Sequence, residues 1–241
     1  MKSGKKPVSP FCFASKGASH SRALLSRKTM IASAKVFGIV VILASSALAN
    51  KMITFDDSNP GLIPQGWIAG STGGGSPDWR VISESSAPSP PNVLRQGGYA
   101  AFPWIVKKDA WFADGFVEVK IKPVSGKEDR AGGVIWRWKD GGDYYVARIN
   151  TLENNVSLYY TLHGKRNTIM YADAPLSLKQ WHTLRVEFSG KKVTVFVDGR
   201  AYISLEDDHI TGPGAVGLWT KADSVTLFDD FGYGGPPDNA Q

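Results

Sequence analysis

Gly132-Gly133-Val134-Ile135-Trp136-Arg137-Trp138 is followed by Lys139-Asp140-Gly141-Gly142 and then by Asp143-Tyr144-Tyr145-Val146-Ala147-Arg148-Ile149-Asn150. Two alternating runs around a turn signal read as a β-hairpin. Each arm carries an arginine and large aromatic residues. Two arginines on neighbouring strands are costly to bury without partners, so the pattern predicts that Arg137 and Arg148 face a wet or ligand-bearing surface. If the turn keeps register, alternation puts them on one face with Ile135, Tyr144, Val146 and Asn150. Trp136 and Trp138 then share the core face with Val134.

The text around the hairpin is β throughout. Alternating or β-branched runs occur at 52–55, 79–83, 93–96, 116–121, 156–162, 168–171, 182–188, 193–197, 201–205, 216–220 and 225–231. Turn formers separate them, among them Pro123-Val124-Ser125-Gly126, Asn154-Asn155, Asp198-Gly199 and Gly212-Pro213-Gly214. Short strands at this spacing, without a long segment of helical period, predict an all-β, two-sheet antiparallel sandwich. Asp198-Gly199 lies between Val193–Val197 and Ala201-Tyr202-Ile203 and suits a type I′ turn. The polar stretches 71–77 and 85–91 read as loops, either plain connectors or the rim of a binding face. No second domain and no internal repeat is visible.

The formal charge of +6 is misleading. The first 49 residues hold eight Lys and Arg and no Asp or Glu, which leaves 20 basic against 22 acidic residues in 50–241. A domain at about −2 has lost the main electrostatic argument for nucleic-acid binding. Lys35 precedes the apolar run Val36–Ala44, and Ala47-Leu48-Ala49 ends it in a small-x-small pattern. That run falls short of the roughly 20 residues of a membrane span, so residues 1–49 read as an N-terminal extension and signal peptide cut after Ala49. Met30 is an alternative start, and an uncleaved anchor is the alternative reading of the segment. The expected product is a secreted or periplasmic protein, with no stable membrane insertion after cleavage. Cys12, the only cysteine, lies upstream of the cut. A disulfide-free domain over 50–241 must then depend on its core, and about 190 residues are enough for one.

The order of these pieces is familiar. Phe55-Asp56-Asp57, Gly66-Trp67, Asp78-Trp79-Arg80-Val81, Trp181-His182-Thr183-Leu184-Arg185-Val186, Val195-Phe196-Val197-Asp198-Gly199 and Gly214-Ala215-Val216-Gly217-Leu218-Trp219 together resemble the concanavalin A-like lectin/glucanase superfamily. The resemblance covers about 52–233. It is nearest to secreted bacterial laminin-G-like domains, including those labelled 3-keto-disaccharide hydrolases. It implies a jelly-roll sandwich whose concave face often binds sugar, hence a glycan or sugar ligand; fold alone does not fix function. The glucanase branch carries Glu-x-Asp-x-x-Glu on one strand, which supplies the two carboxylates of a retaining mechanism. Nothing in this chain matches it. The reading is therefore a carbohydrate-binding, lectin-like domain, with a glycoside hydrolase acting at the concave face as the alternative.

The candidate ligand-binding residues are Arg137, Tyr144, Arg148, Asn150, His163, Arg166 and Trp219. The two hairpin arginines could grip sugar oxygens with the guanidinium fork, or pair with Glu118 or Glu153 at the surface. Trp219 alternates with Leu218 and is a candidate for the concave face. His163, Lys165 and Arg166 form a polar corner, either a solvated turn or a ligand contact. First and last strands of such sandwiches often pair, which would gather Asp56, Asp57, Asp229 and Asp230. Four hard oxygen donors would suit a structural Ca²⁺, and the alternative is that they pair with lysines.

Overall fold

The structure, a computed structural model, describes residues 50–236. The proposed extension and signal peptide lie outside the described residues. Among those residues the strands, in chain order, are β1 (Lys51–Ile53), β2 (Trp67–Ser76), β3 (Trp79–Ser83), β4 (Asn92–Gln96) and β5 (Tyr99–Phe112). Next come β6 (Gly115–Ser125), β7 (Ala131–Asp140), β8 (Asp143–Asn150), β9 (Asn155–Leu162) and β10 (Lys165–Asp173). The last are β11 (His182–Ser189), β12 (Lys192–Val197), β13 (Arg200–Glu206), β14 (Gly214–Trp219) and β15 (Val225–Gly234). They form an eight-stranded sheet in the order β13-β12-β11-β6-β15-β4-β3, with β1 also on β15, and a seven-stranded sheet in the order β10-β9-β8-β7-β14-β5-β2. All the pairings are antiparallel. This is the two-sheet sandwich that alternation predicts.

Alternation also builds the core. Leu184, Val186 and Phe188 of β11 point inward with Val117, Val119 and Ile121 of β6, and meet Val134, Trp136, Tyr145, Ala147 and Ile149 from the other sheet. Trp136 stacks on Tyr145 at 5.1 Å and on Phe188 at 6.0 Å, which ties the sheets together. Asp198 and Gly199 both have positive φ, as the type I′ turn requires.

Two strands depart from the sequence expectation. The stretch 71–77 reads as a loop, yet β2 runs through most of it and pairs with β5. Its three glycines, 73 to 75, take φ of +80° to +108°, and the register shifts between Thr72 and Gly75. Gly74 has open space where a side chain would be, so it serves the turn rather than packing. β5, with Pro103 and three charged residues, shows no clean period and is not foreseen at all.

The hairpin forms, but its register does not hold. Trp136 pairs with Tyr145 and Asp140 with Asp143, so a bulge takes up 137–139. Arg137 sits there with φ +49°. The side chains within the bulge depart from strict alternation. Trp138 packs on Trp104 at 5.4 Å on the outer face rather than joining Trp136 in the core. Arg137 turns the other way, to the end of the sandwich. It donates to the carbonyls of Ala113, Ile210 and Gly190 at 3.1, 3.1 and 2.6 Å and lies over Phe188. It is buried and bolts three loops together, so it does not share the face of Arg148.

The first and last strands pair, as expected. The four aspartates do not become a ligand set. Asp56 accepts from the Asn92 amide at 2.9 Å, and Asp229 accepts from the amides of Ser89 and Asp230 at 2.9 and 2.8 Å. Among the described residues no three Asp, Glu, His or Cys side chains gather to hold a metal ion. One oxygen of Asp56 and both oxygens of Asp229 are taken by backbone amides, which leaves these two with few free donors toward the six to eight of a Ca²⁺ shell.

Asp229 is fully buried, and that burial, together with the charges of Asp230 and Asp56, pushes its carboxyl up to about 6. Between about pH 6 and 4 the folded chain holds this proton while the unfolded chain has released it. Stability from this group therefore rises as pH falls through that window, by at most about 3 kcal/mol. Chemical denaturation at pH 7.5 and pH 4.5 should give a smaller acid-induced loss, or a larger gain, than for Asp229→Asn. Identical pH profiles for the two proteins would refute this.

Candidate functional site

The outer face of the seven-stranded sheet is curled. Four strand spacings separate β2 from β8, about 19 Å on a flat sheet. Yet Thr72 Oγ1 of β2 lies 2.9 Å from Tyr144 Oη of β8 and also bonds the Gly141 carbonyl at 2.5 Å. The glycine-rich end of β2 thus reaches across to the β7–β8 turn, and the face is concave.

The hollow is filled by its own side chains. Tyr144, Val146, Tyr159, Ile135 and Trp219 are fully buried there, with Phe102, Trp104 and Trp138 packed against them. Trp219 is on this face, as alternation predicts, but lies beneath Phe102, stacked at 5.8 Å and 16°. Tyr144 is likewise spent on Thr72. Neither presents an open stacking platform.

The polar part of the face is organised around Asp129. Its carboxylate is fully buried and meets Arg148 Nη1 at 3.2 Å, Asn150 Nδ2 at 2.9 Å and Lys221 Nζ at 2.6 Å. Arg148 also donates to Glu153 at 2.8 Å and to Tyr159 Oη at 3.0 Å. Burial raises Glu153, but Arg148, Asn155 and Lys221 outweigh it and hold the group below the usual carboxylate range. Arg148 and Asn150 are therefore on the expected face but are not solvated. Arg148 is 2% exposed, which corrects the expectation of a guanidinium on a wet surface. The ion pair with Glu153, an alternative left open by the sequence, is formed.

Arg166 behaves differently. Its guanidinium lies 4.6 Å from the Phe102 ring, 4.4 Å from Tyr159 and 5.8 Å from Trp219. Among the described residues no carboxylate comes within ion-pair distance of it, and Nη1 is buried without an acceptor. Burial, and then the like charge of Arg148, pull it below the ordinary guanidinium value. Thr161 Oγ1 of β9, paired in register with Arg166, is another buried hydroxyl without a partner. Tyr171, 53% exposed on the edge strand β10, completes this corner against Tyr159 at 5.7 Å. The Thr168 and Tyr159 hydroxyls, then the charges of Arg148 and Arg166, lower its phenol. His163 stands apart at the β9–β10 turn, with φ +52° and a ring 86% exposed, held only through its amide to Asp143.

Asp129 carries no signal of its own in the sequence, because it stands beside Glu128 in the polar connection between β6 and β7. The signal available was the Arg148 and Asn150 pair on one face of β8, which needs a buried acceptor opposite. Tyr171 and Lys221 carried no signal, because both lie near strand ends where alternation is weak.

The buried pair predicts a stability effect. Arg148→Ala leaves the buried Asp129 with Lys221, Asn150 and the Arg130 amide but without its arginine, and should cost about 3 kcal/mol in urea denaturation. A loss below about 1 kcal/mol would mean that the pair is not structural.

Comparisons with known proteins agree with this architecture. The Laminin G domain family matches residues 128–213. No curated protein matches the chain. Among solved structures, the carbohydrate binding module CBM66 from Bacillus subtilis is similar over 69% of this chain and 93% of its own, at 20% identity and TM-score 0.57. A β-1,3-1,4-glucanase (lichenase) derived from a mouse hindgut metagenome is similar over 78% of this chain and 99% of its own, at 15% identity and TM-score 0.52. The β-glucanase of Bacillus licheniformis aligns over 80% of this chain and all of its own, at 14% identity and TM-score 0.50. The two antiparallel sheets and these likenesses give the chain the fold of a jelly-roll sandwich, with a Laminin G match across the central strands.

Proposed function

We propose that this is a carbohydrate-binding domain that recognises a sugar at the Arg166 corner of the concave face and does not cleave it. The observation that carries the reading is the Arg166 guanidinium, held between aromatic rings with no carboxylate partner among the described residues. A buried donor without an acceptor costs about 1–3 kcal/mol, so the fold keeps it at a loss that a ligand oxygen would recover. Tyr171 and Thr161 supply further hydrogen-bonding groups around it. Sugar hydroxyls and ring oxygens match such a mixed aromatic and donor-rich surface. CBM66, a binding module by name, shares the fold, and this supports the reading by analogy alone.

Hydrolysis has less support. It needs a proton donor and a second carboxylate about 5 Å or more apart, both facing the substrate. Asp129 and Glu153 instead share one arginine, and Glu153 is held in its ionised form, which suits an acceptor and not an acid. The Ala47-Leu48-Ala49 pattern adds export to the reading, so the ligand would be met outside the cytoplasm.

A glycan array run beside a reducing-sugar assay tests both halves. Binding of at least one neutral glycan without release of reducing ends is expected. Arg166→Ala should weaken that binding about tenfold or more, with a thermal midpoint within a few degrees of the parent. Release of reducing sugar by the parent, or undiminished binding by the variant, would overturn the proposal.

A further inference from the structure

The eight-stranded sheet has an outer face of its own, and one corner of it is not ordinary solvated surface. Val81, Leu94, Ile121 and Phe228 point into the core. Their neighbours Ile82, Arg95, Lys122 and Leu227 therefore point outward. There, with Val124 and Val225, they line a hollow of about 320 Å³. A second hollow of about 460 Å³ continues from it past Gly126, Lys127, Arg130 and Leu178. The two share Val124 and Lys179, so they form one groove along the end of β6.

The charge of this groove is uneven. Arg95, Lys122, Lys127, Arg130 and Lys179 line it against only two carboxylates, Glu84 and Asp223. Both carboxylates are occupied. Asp223 takes three backbone amides, those of Lys127, Glu128 and Asp129, at 2.6 to 3.1 Å. Glu84 accepts from the amide and hydroxyl of Ser86, at 3.0 and 2.5 Å, and reaches Lys122 only at 3.7 Å. Lys127 and Lys179 have no ion-pair partner among the described residues. Arg95 pairs with Asp78 at 3.4 Å, which leaves four cations against two anions on a domain whose residues 50–241 hold 20 basic and 22 acidic groups, so this corner opposes the sign of the remainder.

The groove is also built. Lys179 is held at φ +62°, a conformation rare for a side-chain-bearing residue, with its amide on the Pro123 carbonyl at 2.8 Å. Lys122 lies over the Trp181 ring at 5.7 Å and donates to Ser86 at 2.6 Å. Trp181 is itself fixed by its indole N–H on the Ser86 carbonyl at 2.6 Å. The loops 84–86 and 178–181 thus hold the cations at the rim, above an aliphatic floor of Ile82, Val124, Val225 and Leu227.

We propose that this groove is a second ligand site, separate from the concave face, and that its occupant is an acidic oligosaccharide bearing uronate carboxylates. Such a chain alternates apolar ring faces with anionic groups at close intervals, which matches an aliphatic floor between lysines and arginines. A neutral glycan leaves the cations unpaired, and a lone small anion leaves the floor uncovered.

The test uses the protein from Asn50 onward, with a fluorescent galacturonate hexamer and a neutral glucose hexamer of equal length as probes. The galacturonate hexamer is expected to bind, with a Kd that rises steeply from 20 to 150 mM salt, while the glucose hexamer binds at least tenfold more weakly. Lys127→Glu/Lys179→Glu changes two exposed side chains whose backbone contacts remain. It should lower galacturonate affinity at least tenfold and leave binding of the neutral glycan at the concave face unchanged. Arg166→Ala should do the reverse, so failure of one site is distinguishable from failure of the other. Unchanged galacturonate binding by the double variant, or its loss in Arg166→Ala, would overturn the proposal. So would equal competition by single-stranded DNA of the same charge, which would mark the groove as a nucleic-acid site.

Discussion

A carboxylate with no exposure to water has to be answered by its surroundings, and Asp129 is answered by three side chains from two segments at once. Arg148 and Asn150 come from β8, and Lys221 comes from the segment after β14. Desolvating a charge costs several kcal/mol, so the arrangement holds only if each partner is in place. That requirement fixes β8 against the β6–β7 connection and brings Lys221 over the face. It also orients Tyr159 through Arg148, and the Tyr159 ring is one wall of the Arg166 cradle. The ligand corner therefore depends on an ion pair that would not itself touch the ligand.

This ordering explains why the two arginines of β8 and β10 differ. Arg148 is saturated: two carboxylates and a phenol take its donors. Arg166 has rings in place of acceptors. Aromatic faces stabilise a guanidinium but leave its N–H groups free in the ring plane, whereas a carboxylate consumes them. A structural arginine and a recognition arginine can thus share a sheet face and be told apart by what they contact. The first rigidifies, and the second keeps donors in reserve.

Much of the sandwich was legible because burial on one face imposes a period of two, and thirteen short runs carried it. The type I′ turn at Asp198-Gly199 was legible because few dipeptides tolerate positive φ twice. What alternation could not carry was a change of phase. The bulge at Arg137 is local, carries no required residue type and breaks alternation within 137–139, so Arg137 and Trp138 exchanged faces. β2 was hidden for a different reason. Its Ser, Thr and Gly residues have little hydrophobic signal because the strand folds over the face and pairs with β5 through its backbone. Arg148, Asn150, Tyr144 and Trp219 were placed on the concave face by pattern, whereas Arg166 read only as part of a polar corner. Their degree of burial was not, because it depends on side chains brought from four strands away.

Net charge compounds that difficulty. A count near −2 for residues 50–241 argues against a polyanion ligand only if the charges are evenly spread. On this domain they are not. Sheet pairing collects Arg95 from β4 and Lys122 from β6 around one aliphatic floor, and loops bring Lys127, Arg130 and Lys179 to join them. Meanwhile Asp223, the acid that sequence proximity would assign to Lys221, turns inward to three backbone amides, and Lys221 goes to Asp129. Asp223 stays at the rim of the groove, where its oxygens order the 127–129 backbone instead of pairing with a lysine, and Lys221 is left to answer Asp129 on the concave side. One short connection thus fixes the electrostatics of both faces, through a buried acid at Asp129 and through the backbone that carries Lys127 and Arg130.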